Sequence, residues 1–132
     1  MSSDGLPQCL CATRLHPVGS IAPDATGVAT VMRSSGRMVT AFVIVGPLPD
    51  PASLGYAYYV FLVVDPDSGA AVIRQPMVTL PAGEFGDDVW GGTATVGLDD
   101  CELPCGPVMV FASDINGSLG PQVAAGVLEG CR

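Results

Sequence analysis

Residues 37–64 read RMVTAFVIVGPLPDPASLGYAYYVFLVV, and the period of their apolar residues decides the fold. The first run, Arg37–Gly46, puts Met38, Phe42 and Ile44 on one side of an extended chain and Val39, Ala41, Val43 and Val45 on the other. The second, Tyr56–Val64, sets Tyr56, Tyr58, Val60, Leu62 and Val64 against Ala57, Tyr59, Phe61 and Val63. Both are rich in β-branched and aromatic residues and both read as strands. Between them, Pro47-Leu48-Pro49-Asp50-Pro51 is too rigid for a strand and reads as a longer crossover.

Outward from this centre the same texture repeats. Thr26–Met32, Ala70–Leu80, Val89–Leu98, Pro107–Ser113 and Gln122–Glu129 are further strand candidates, which makes seven. Ser34-Ser35-Gly36 suits a tight hairpin, and Asp65-Pro66-Asp67-Ser68-Gly69 places proline and glycine where a turn uses them. Pro76 interrupts its run, which is therefore an edge strand or two short pieces. Seven short strands at this spacing predict an all-β fold, a single antiparallel β-sandwich over residues 25–132. Residues 1–24 hold Pro7, Pro17, Pro23 and two cysteines without a sustained period, and read as an extended N-terminal arm.

Composition agrees with one β domain: 132 residues with 17 glycines and 12 prolines suit short apolar runs cut by turns. Thirteen acidic residues against five arginines and no lysine give a net charge of -8, a sign that repels a phosphate backbone, so nucleic acid is not an expected partner. The missing lysine also excludes Schiff-base chemistry and a phosphate-loop lysine. Met1 to Ser20 show no basic region followed by an apolar stretch, so no secretory signal is visible. The longest apolar run, Tyr56–Val64, is far shorter than the roughly 20 residues of a membrane helix, and no membrane insertion is expected.

Only 14% of residues are charged, against the roughly 25–35% usual on a small monomer's surface. Strands of a monomeric sandwich alternate, as Thr93 and Thr95 do against Ala94, Val96 and Leu98. The two opening runs do not, since both of their faces are apolar. Either the arm or a long loop covers the outer face, or a neighbouring subunit does. On the second reading, Phe42, Ile44, Tyr56, Tyr58, Val60 and Leu62 form a subunit interface.

Tyr56–Val64 with the Asp65–Gly69 turn, then Val78-Thr79-Leu80-Pro81-Ala82-Gly83 and Thr93-Ala94-Thr95-Val96, resemble immunoglobulin-like sandwich modules of secreted and particle-surface proteins. The resemblance covers about residues 25–130 at the level of fold. The pattern of two core cysteines around a tryptophan is absent, because Trp90 lies just before the cysteine pair.

Chemistry-bearing residues are few. The single histidine, His16, precedes Pro17 in the arm, with no serine or cysteine nucleophile in a recognisable elbow near it, and the chain reads as a non-enzyme. No dinucleotide or phosphate loop appears, Gly91-Gly92 reads as a strand bulge, and no cofactor is expected. The five cysteines, Cys9 and Cys11 in the arm, Cys101 and Cys105, and Cys131 at the far end, fit disulfides, a structural zinc or idle thiols; an odd number leaves at least one free or bonded to another chain. Acidic turns at Asp65/Asp67/Ser68, Glu84/Asp87/Asp88, Asp99/Asp100 and Asp114/Asn116 offer oxygens suited to calcium, but such residues in turns ordinarily bond the backbone, and no metal site is assigned. Asn116-Gly117-Ser118 fits a glycosylation sequon.

These features lead to a structural, self-associating protein, either a virion decoration or capsid-associated subunit or an extracellular filament subunit. Copies of itself or other protein subunits are its partners, the arm and terminal cysteines are available to link them, and a virion or an extracellular assembly is the expected location. The alternative is an immunoglobulin-like binding or adhesion module that recognises a protein or glycan through Tyr56, Tyr58, Tyr59 and Trp90.

Overall fold

A computed structural model describes residues 10–35, 38–80, 88–97 and 106–129. Its elements are β1 (Leu10–Pro17), β2 (Thr26–Ser35), β3 (Met38–Leu48), a 3-10 turn (Pro51–Leu54), β4 (Tyr58–Val64), β5 (Ala71–Pro76), β6 (Val78–Leu80), β7 (Asp88–Gly97), β8 (Gly106–Ser113) and β9 (Leu119–Leu128). Every strand pairing is antiparallel, in the order β5-β4-β8-β9-β1-β2-β3-β7-β6.

This corrects the expected seven-strand sandwich. Nine strands form one continuous sheet that curls until it is nearly closed. Two local causes raise the count. Residues 10–17, expected to lie in an arm, are β1, which pairs with β2 from Leu10 to Leu15 and with β9 at His16 and Pro17. The 70–80 run divides at Pro76 and Met77, where the Met77 amide bonds the Tyr59 carbonyl at 2.8 Å. That bend hands the chain from β4 to β7, so β5 and β6, the two ends of the sheet order, are consecutive in the chain. A sheet that closes on itself hides most of its edges.

β1 and the β5–β6 bend divide the sheet into two halves that face each other. Leu15, Val31, Val39, Val43, Val45 and Leu48 from one half meet Tyr59, Phe61, Val63, Val108, Val110 and Leu128 from the other in a single buried core. Tyr59 and Trp90 touch edge to face across it, with ring centroids 5.0 Å apart. The Tyr59 hydroxyl donates to the Pro49 carbonyl at 2.7 Å, which fixes the proline-rich crossover to the core. Asp50 opens the 3-10 turn by accepting from the Ala52 amide at 3.0 Å, and Gly55 closes it in the left-handed region at φ 84°.

Glycine marks the places where strands approach most closely. A Cβ at Gly27 would fall on the Ile44 carbonyl and 2.8 Å from the Val45 Cα, and one at Gly126 would stand 2.5 Å from the Arg14 carbonyl. β2 can lie on β3, and β9 on β1, because these residues lack side chains.

Candidate functional site

The half made of β1, β2, β3, β7 and β6 has an outer face with no element over it among the described residues. Outward positions align across the strands in three rows. Leu10, Met32 and Thr40 continue to Thr95; Ala12, Thr30 and Phe42 to Thr93; Arg14, Val28 and Ile44 to Gly91 and Val78. Leu10 (58%), Phe42 (41%) and Val78 (63%) are well exposed, as are Val28, Met32 and Met38. The Thr40 and Thr95 hydroxyls bond at 3.1 Å and help hold the rows in register. Among the described residues, no carboxylate occupies an outward position of these five strands, and Arg14 is the one charged side chain in the three rows. From outermost row to outermost row the patch covers about 13 Å along the strands and about 19 Å across them. That is about 250 Å², within the size of the largest apolar patch on an ordinary monomer, so its composition and not its extent sets it apart.

The expected interface residues divide between the two halves. Phe42 and Ile44 lie in this patch, with Phe42 at its centre. Tyr56, Tyr58, Val60 and Leu62 belong to the other half. Val60 and Leu62 are buried within the protomer, at 1% and 8% exposure, which removes them from any surface a partner could reach. Neighbours in the same sheet flank them: Pro76 and Phe111 beside Val60, Arg74 and Met109 beside Leu62. Tyr56 and Tyr58 are half-buried against the core, and the Tyr56 ring fills the space over Gly120. Leu10, Val28, Met32 and Val78 were not among the expected residues. Their signal was present in the sequence, as Val28 and Met32 alternate with Ala29 and Val31 just as the residues of the next strand do.

A groove of about 690 Å³ runs along β9 on the outside of the opposite half. Ala125 and Gly126 leave it open, Met109 and Pro107 stand on the β8 side, Arg14 and His16 on the β1 side, and Gln122 and Glu129 also line it. The only histidine thus faces an arginine, a carboxylate and an amide, with Thr13 the one hydroxyl in the lining and no thiol. No nucleophile–base pair is assembled there.

Of the cysteines, Cys11 lies within the described residues. It points into the barrel opposite Val31 and is buried, so its thiol does not face a neighbouring molecule. Cys9, Cys101, Cys105 and Cys131 lie outside the described residues, as do Glu84, Asp87, Asp99 and Asp100. The two described acidic turns use their carboxylates locally. Asp65 accepts from the Asp67 amide at 3.2 Å and from the Ser68 hydroxyl at 2.9 Å; Asp114 accepts from the Asn116 and Ser118 amides, both at 2.9 Å. Among the described residues, no group of three metal-ligating side chains comes together.

In comparison with known proteins, the chain matches no family model, no curated protein and no solved structure.

Proposed function

We propose that the protein is a structural subunit that associates with copies of itself, of the kind that decorates virions or builds extracellular filaments. The contact face is the outside of the β1-β2-β3-β7-β6 half. One observation carries this reading: the outward positions around Phe42 are mostly apolar side chains and threonines with, among the described residues, no carboxylate, on a chain of net charge -8. Like-charged copies repel over most of their surface, so they approach most readily where negative charge is missing and apolar area can be removed from water. Cys11 faces inward and supplies no link at this face.

The test is sedimentation velocity over a concentration series, comparing wild type with Phe42→Glu and with Val72→Glu, an exposed apolar position on β5 in the other half. Wild type and Val72→Glu associate, while Phe42→Glu, which places a carboxylate in the patch, stays monomeric. Equal association by all three proteins would remove the face from the account.

A further inference from the structure

We infer that two copies join edge to edge through β7, extending the β1-β2-β3-β7-β6 half into one sheet that crosses a two-fold axis. This rests on the self-association proposed above and names its mode. β7 runs from Asp88 to Gly97 and pairs with β3 over nearly its whole length, from Leu48↔Asp88 to Met38↔Gly97. On its other edge, β6 covers only Val89, Trp90 and Gly91. β5 packs beside the Gly92 end, where a Cβ would stand 3.3 Å from the Pro76 carbonyl; from Thr93 to Gly97 no described strand pairs with that edge, a stretch of about 17 Å of backbone donors and acceptors.

The other edges of the sheet carry the usual protection, and this one does not. β5 has Arg74, Pro76 and a register break opposite Val63 and Val64. β6 is three residues long and stands between Pro76 and Pro81. The β1–β9 seam is closed by the pairs at His16 and Pro17 and by the close approach of Gly126 to the Arg14 carbonyl. Thr93-Ala94-Thr95-Val96 has no charge and no proline, and its register with β3 is unbroken from Val45↔Trp90 to Met38↔Gly97. Natural sheets seldom leave such an edge unpaired.

A second copy is the occupant that fits. The segment offers no charge to select a foreign strand and none to repel itself. Antiparallel pairing of 93–97 with 97–93 sets Thr95 opposite its own counterpart and Ala94 opposite Val96, small and β-branched residues that pair well across strands. It also stops short of Gly91, where β6 begins. Thr93 and Thr95 lie in the same rows as Phe42 and Thr40, so the two apolar patches become one surface across the two-fold.

Hydrogen exchange of the wild-type protein, read by mass spectrometry at a dilute and a concentrated condition, tests this. In an antiparallel strand alternate amides face alternate edges, so about half of the amides in 93–97 slow on the order of tenfold or more on association. The β3 amides, paired on both sides, serve as the internal reference. Association without added protection in 93–97 would overturn edge pairing and leave the self-associating reading intact. Protection of all these amides already in the dilute monomer would overturn it as well. A protein that stays monomeric at both conditions would overturn both.

Discussion

Replacing Gly126 by alanine tests whether β1 is a closing strand of the barrel or a dispensable arm. The new Cβ would stand 2.5 Å from the Arg14 carbonyl oxygen, and β1 has to retreat by about 0.9 Å to reach ordinary contact at 3.4 Å. The Leu15 and Thr13 methyls, both at 3.1 Å, block the sideways escape. The seam has little to spare: two residue pairs, and the Val18 amide bonded to the Val123 carbonyl at 3.0 Å. A displacement of that size takes such bonds past the length at which they hold. Losing about two of them, at roughly 0.5–1.5 kcal/mol each, together with overpacking of about 1–3 kcal/mol, gives a loss of about 4 kcal/mol. For a chain of this size that lowers Tm by about 16 °C. Gly97→Ala is the control, since its nearest neighbour is the Met38 sulfur at 3.6 Å, and its effect stays within about 0.5 kcal/mol. Calorimetry measures both variants, and hydrogen exchange locates the damage at residues 10–18. A Gly126→Ala protein with wild-type Tm and unchanged exchange there would refute the seam as described.

Gly27→Ala drives a Cβ into the Ile44 carbonyl and the Val45 Cα of β3, and loses about 3 kcal/mol or more in chemical denaturation. Tyr59→Phe keeps the ring against Trp90 but removes the bond to the Pro49 carbonyl; it costs about 1–2 kcal/mol in the same assay and leaves association unchanged. Asp114→Ala removes the acceptor of two turn amides, and its loss of about 1–2 kcal/mol is accompanied by faster exchange at Asn116 and Ser118.

Much of this architecture is legible in the sequence, because period-two patterning is a local property. All seven expected runs form strands, and the break at Pro76 is where one of them divides. β1 is harder to see. In LCATRLHP only Cys11 and Leu15 are buried; Arg14 and His16 occupy outward positions, and Pro17 ends the strand at once. With so few apolar residues the stretch carries a weak periodic signal, and its place is set by pairing with β2 and β9 rather than by its own pattern. The surface shows the same limit. β3 and β4 both carry apolar residues on two faces, and nothing local says that Val60 and Leu62 are flanked by Phe111 and Met109 while Phe42 stands between two threonines. Which apolar face is left to water depends on the residues that non-local pairing sets beside it.

The most direct measurement for the central claim is the molar mass of the purified wild-type protein by light scattering, with and without reductant, as concentration is raised. The expected result is a mass that climbs from the 13.4 kDa of one chain to a multiple of it, and the reductant shows what part of that rise is disulfide-linked. A constant 13.4 kDa throughout would contradict it.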